Sequence, residues 1–153
     1  MDSLKDRLQH DLTEAMRAQD EVTRETLRMA LAAVQRAEVA GKEQIELDDD
    51  AIVGVLQTEV RKRTEAAEAY AAGGRTDRAD RERAEAAVLA AYLPAALSED
   101  DLAAIVAEEV ARAADEGLAG GKAMGAVVKA VRARAGAGTE GGRIAAAVKA
   151  ALG

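Results

Sequence analysis

The sequence predicts an all-α protein, and three observations carry that expectation. Alanine supplies 39 of the 153 residues and has the best intrinsic helix propensity. Leu, Val, Ile and Met recur at three- and four-residue spacing through most of the chain. No segment alternates with a period of two, and no Val/Ile/Thr-rich strand is present. The one proline, Pro94, divides the helices into two groups, because proline removes an N–H and pushes the residue before it out of the helical region. The expected architecture is an N-terminal four-helix domain with a long helical hairpin, residues 1–94, followed by a C-terminal three-helix bundle, residues 95–153.

Each element has its own signals. Ser3 can cap a first helix with Asp6 three positions on, and Leu4, Leu8, Leu12, Ala15 and Met16 form its apolar stripe. Asp20 caps a second, with Leu27, Ala30, Leu31, Val34 and Ala37 inward and Gly41 at its end. Asp48, Asp49 and Asp50 suit the positive end of a third helix, which runs to about Ala72. Its first half is apolar (Ile52, Val53, Val55, Leu56, Val60). Its second half (Arg61, Lys62, Arg63, Glu65, Glu68) is expected to project from the core or pack lightly. Thr76 or Asp77 is expected to cap a fourth helix reaching Tyr92, with Ala84, Ala87, Val88 and Ala91 as its apolar end. Gly73-Gly74-Arg75 would be the polar tip of the hairpin. Beyond Pro94, Ser98 caps a fifth helix, with Asp101 completing a capping-box-like pattern and Leu102, Ile105, Val106, Val110 and Ala113 inward. A sixth helix from about Lys122 to Ala135 uses Met124, Val127, Val128 and Val131. A seventh from about Glu140 uses Ile144, Val148 and Leu152.

Composition excludes several function classes. There is no cysteine, so disulfides, thiolate metal sites and cysteine nucleophiles are out. There is no Phe or Trp, so the core rests on Leu, Val, Ile and Met at roughly 1.5–3 kcal/mol per fully buried side chain. Charge begins at Asp2 with no apolar stretch behind it, so no signal peptide is expected. The longest apolar run, residues 86–97, is broken by Pro94 and too short to span a bilayer. No membrane association and a cytoplasmic setting are the expectation.

The net charge of −7 is unevenly spread. Residues 1–94 carry 14 basic and 20 acidic groups, and residues 95–116 carry Arg112 against seven acids. The tail then carries Lys122, Lys129, Arg132, Arg134, Arg143 and Lys149 against Glu140 alone. These six cations are the candidate nucleic-acid contacts, since a positive face on a small helical module suits a phosphate backbone. The competing reading is a solvated helix face.

Other motifs carry less. Gly136-Ala137-Gly138-Thr139-Glu140-Gly141 matches the dinucleotide pattern, but a helix precedes it where a strand is required. Gly117 to Lys122 has the wrong spacing for a P-loop, and Ala123 replaces the needed Ser or Thr. His10, the sole histidine, is off the apolar stripe and expected in solvent, which leaves no di-metal bundle site and no hydrolase triad. The carboxylates read as solvated faces rather than tuned acids. Arg61-Lys62-Arg63 reads as intrahelical ion pairs with nearby glutamates. No catalytic residue, metal or small-molecule cofactor is expected.

Four segments together resemble one family. They are Thr26–Ala33 with Ala37-Glu38, Gln57–Arg63, Ala90-Ala91-Tyr92-Leu93-Pro94-Ala95-Ala96-Leu97-Ser98-Glu99, and Lys122-Ala123-Met124-Gly125-Ala126-Val127. In this order they resemble the GatB/YqeY family over nearly the whole chain, and its stand-alone YqeY-like members match best in length. The resemblance implies an N-terminal helical domain and a C-terminal three-helix domain. It implies that the C-terminal part is similar to the tail of the amidotransferase B subunit, which helps hold tRNA. It also implies the family label of carbon–nitrogen ligase with glutamine as amido-N-donor. The expected role is a tRNA-associated binding protein, non-catalytic alone. A protein-interaction adaptor using the 52–92 hairpin is the alternative.

Overall fold

The computed structural model describes residues 2–153 and contains seven α-helices and no strand among them. The chain divides into two compact units, one ending at Leu93 and the other running from Pro94 to Gly153.

The first unit holds α1 (Leu4–Arg17), α2 (Glu21–Val39), α3 (Asp49–Ala72) and α4 (Thr76–Ala90). Ser3 and Asp6 form a full capping box at the start of α1. The helix turns its Leu4, Leu8 and Ala15 inward, while Met16, expected in the stripe, is 49% exposed. It stops where Gln19 adopts a left-handed backbone with φ 58°. Asp20 then caps α2 through the Thr23 N–H. Leu27, Ala30, Ala33 and Val34 of α2 face the core. Glu38 is buried too, because it organises the loop beyond α2. It accepts from Lys5 Nζ at 2.9 Å and from the Leu47 N–H at 3.1 Å. Both bonds hold its carboxyl below the usual carboxylate range. Asp48 caps α3 through the Ala51 N–H at 2.8 Å.

The second half of α3 corrects the sequence expectation. Arg61, Lys62, Glu65 and Glu68 are exposed, but Glu59, Arg63 and Ala67 are buried against the rest of the unit. The expectation that this half packs lightly failed because positions four apart, Glu59, Arg63 and Ala67, point inward, and the two charged ones bring their own counter-charges. Arg63 Nη1 donates to the Glu59 carbonyl and to Glu59 Oε1, both at 3.1 Å. Its Nε lies 3.6 Å from Glu85 Oε2 on α4, and Arg81 reaches Glu85 Oε1 at 3.3 Å. The expected intrahelical pairs are present as Glu59–Arg63 and Glu59–Lys62.

Helix α4 corrects two further expectations. Its N-cap is Arg75, which makes no side-chain cap bond, so neither Thr76 nor Asp77 serves. Its buried residues are Ala79, Glu85 and Leu89, while Ala84, Ala87 and Ala91 are exposed. The inward glutamate displaces the apolar stripe by a residue. Beyond α4, the Tyr92 hydroxyl donates to Asp11 Oδ2, and Arg7 stacks over the ring at 5.4 Å. Burial and then the Asp11 carboxylate push the Tyr92 phenol far up.

The second unit packs α5 (Glu99–Asp115), α6 (Gly120–Ala135) and α7 (Gly141–Leu152) around one core. That core is Leu102, Val106, Ala113, Val127, Val131, Ile144 and Val148. Ser98 caps α5 by accepting the Asp101 N–H at 3.1 Å. The 136–140 turn folds back on residues 94–97. The buried Thr139 accepts the Leu97 N–H at 3.0 Å through Oγ1. A Cβ on Gly138 would stand 2.5 Å from the Ala95 carbonyl oxygen, so only glycine fits this approach.

Candidate nucleic-acid interface

The cations of the second unit sort into two classes by their surroundings. Neither α6 nor α7 contains an acidic residue. Helix α6 buries Ala123, Val127 and Val131, which turns Lys122, Gly125, Lys129 and Arg132 to the opposite, exposed side. At 1.5 Å rise per residue, Lys122 and Lys129 stand about 10.5 Å apart along the axis, with Arg132 about 4.5 Å further on. Gly125 leaves open space between the two lysines, where a side chain would otherwise cover the backbone. Arg132 lies against Gly141, where a Cβ would meet its Nη2 at 2.7 Å. Lys149 is exposed on α7. Lys122, Lys129 and Lys149 make no ion pair among the described residues.

Arg134 and Arg143 are held inside the unit. Arg134 bonds Glu108 at 2.7 Å and the buried Glu109 at 3.1 Å, which pushes its pKa up. Arg143 Nη2 donates to the Leu97 carbonyl at 3.0 Å and pairs with Glu99 at 3.1 Å. Of the six cations singled out in the sequence, the structure therefore turns Lys122, Lys129, Arg132 and Lys149 to solvent and ties Arg134 and Arg143 to α5 and its cap. The counter-charges Glu99, Glu108 and Glu109 escape a reading by segments, because they belong to the acidic stretch before the tail. The whole unit carries seven basic and eight acidic side chains, so its positive potential is local to one face.

His10 is exposed. No group of three or more His, Cys, Asp or Glu is placed to hold a metal ion among the described residues. A depression of about 380 Å³ is lined by Lys5, Glu38, Gln44, Ile45 and Glu46, but Lys5 and the Leu47 N–H already occupy the Glu38 carboxylate. The expectation that the acids are all solvated is corrected at Glu38, Glu59, Glu85 and Glu109, which are buried on cationic partners. Glu82 is half-buried, and burial followed by the charge of Glu85 raises its pKa. Among the described residues, no helix is long and apolar enough to cross a membrane.

A model of the Yqey-like protein family matches residues 5–152, which takes in both units. The chain belongs to the YqeY-like family. A curated relative, altered inheritance of mitochondria protein 41, mitochondrial, from Meyerozyma guilliermondii, is 33% identical over 92 residues. That alignment covers 60% of this chain and 47% of the relative, so the match spans about half of that protein's length. Within the YqeY-like family frame, the buried α2–α4 charge cluster and the α6 cation row lie in different units.

Proposed function

We propose that this YqeY-like protein binds the phosphate backbone of tRNA through the exposed row Lys122, Lys129 and Arg132, with Lys149 beside it on α7. The observation that carries this reading is an acid-free helix, α6, whose whole outer side is cationic or small. Small residues between the cations let a backbone approach closely, and lysine and arginine contact phosphates without reading bases. The similarity of the C-terminal unit to the tRNA-holding tail of the amidotransferase B subunit supports the same reading. In it the family's carbon–nitrogen ligase label, with glutamine as amido-N-donor, reflects assistance to tRNA-dependent amidation rather than catalysis by this chain alone. Arg134 and Arg143 then shape the face instead of touching phosphate. The setting is the cytoplasm.

Three or four phosphate contacts predict modest affinity and a log–log salt slope of about −3 to −4. Filter binding to total tRNA at low and moderate salt tests this. K122E/K129E/R132E should abolish retention with the fold intact by circular dichroism. No retention of the wild-type chain at low salt would sink the reading. The alternative is an adaptor role for the 52–92 hairpin, favoured by the exposed charges Arg61, Lys62, Glu65 and Glu68 on its flank. A pulldown recovering one stoichiometric protein, unaffected by nuclease, would support it.

A further inference from the structure

We propose that Met29 is a redox modification site, at which a methionine sulfoxide is held by the buried guanidinium of Arg63. Met29 is 49% exposed on α2, so an oxidant can reach it. Yet its sulfur is turned inward and accepts from Arg63 Nη2 at 3.6 Å. A thioether is a weak acceptor for a cation that is itself 4% exposed. Two polar atoms of the same neighbourhood make no hydrogen bond. Thr26 Oγ1, one turn along α2 from Met29, is buried without a hydrogen-bond partner, and Arg63 Nε makes no hydrogen bond, only an ion-pair contact with Glu85 Oε2 at 3.6 Å. Leaving buried donors unmet is unfavourable.

Oxidation supplies what is missing. A sulfur lone pair attacks a hydroperoxide oxygen, an S–O bond forms and the O–O bond breaks. Sulfur loses two electrons, and the peroxide's second oxygen leaves as water or alcohol, carrying the proton of the transferred oxygen. The product oxygen is a strong acceptor, and bonds from a guanidinium are the strong class. The three rotatable bonds of methionine let the longer group settle over Nη2 and Nε. Methionine oxidation ordinarily disrupts packing, because it places a polar group among apolar ones. At Met29 the polar group meets a cation. Met16 is equally exposed, at 49%, with no hydrogen bond to its sulfur among the described residues.

The experiment uses the full chain. Wild type and M29L are melted before and after hydrogen peroxide, with oxygen incorporation at each methionine read by peptide mass spectrometry. M29L carries every other methionine, so it isolates the contribution of this one. Leucine at a half-exposed helical position leaves the fold intact. The expected result is that oxidation shifts the wild-type melting temperature upward relative to the shift in M29L, by a few degrees for a unit of this size. An equal shift in the two proteins, a more negative one in wild type, or no oxygen on Met29 overturns the proposal.

Discussion

Between α2, α3 and α4 a guanidinium lies inside the packing, whereas in α5, α6 and α7 every cation stays at or near the surface. Both units draw on the same residue pool, rich in alanine and charge and almost free of aromatics. The second unit fills its interior with Leu102, Val106, Val127, Val131, Ile144 and Val148, two from each of three short helices. In the first, the α3–α4 hairpin beyond Leu56 offers mostly alanine. Arg63 and Glu85 provide the volume that alanine lacks, and each neutralises the other. Long polar side chains thus serve as core material where they can be paired. Where aliphatic residues suffice, the cations stay outside the core, some paired to acids of α5 and its cap and others, such as Lys122 and Lys129, turned to solvent.

The strongest way to break this comparison is to remove Arg63. R63A leaves Glu59 and Glu85 buried without their common partner, a change that costs about 3–5 kcal/mol. Urea denaturation should show that loss. Replacing all three charges together with apolar residues of similar size should be close to neutral. If R63A is itself neutral, the cluster is not core material and the contrast between the units falls.

A matching test in the second unit uses backbone rather than charge. G138A drives a Cβ to 2.5 Å from the Ala95 carbonyl and 2.8 Å from that of Pro94, and neither can swing aside as a side chain would. The expected loss is about 1–3 kcal/mol, the usual range for overpacking. S98A removes the α5 cap bond and should cost about 1 kcal/mol. Either variant should lower the melting temperature of this unit. A wild-type melting temperature for G138A would show that the 136–140 turn is not held against residues 94–97.

Much of the fold was legible because caps and breakers act locally. Ser3 with Asp6, Asp20, Asp48 and Ser98 each announce a helix start that forms as read. What was not legible depends on two helices at once. Nothing local marks Arg63 as inward and Arg61 as outward, since the distinction needs Glu85 of α4 as a partner. The same holds at the candidate interface. Lys122 and Lys129 could be read as outward from the wheel of α6 alone. The ties of Arg134 to Glu108 and Glu109, and of Arg143 to Glu99, join segments far apart in sequence. Leu89, fully buried, was overlooked because the alanines around it suggested a different stripe.

The smallest expected effect concerns how paired and unpaired acids of the first unit respond to pH. Hydrogen bonds hold Glu38 below the ordinary value, and at Glu59 those from Arg63 and Lys62 outweigh a burial effect that acts in the opposite direction. Their stabilisation is complete above the unfolded glutamate value of about 4.3 and is lost as pH falls through the folded values. Glu82 has the opposite sign. Its folded pKa is raised, so the folded state favours its protonated form, and stability drains away as pH rises through that value. E82Q should therefore stabilise near neutral pH by about 0.2–1 kcal/mol, a surface-charge magnitude since the side chain is half-buried. Near pH 4 the gain should vanish, because the native carboxyl is already largely protonated there. Thermal melts of E82Q and wild type at the two pH values measure this directly. A gain that is the same at both would mean that the burial of the Glu82 carboxylate and its repulsion by Glu85 are not what the substitution relieves.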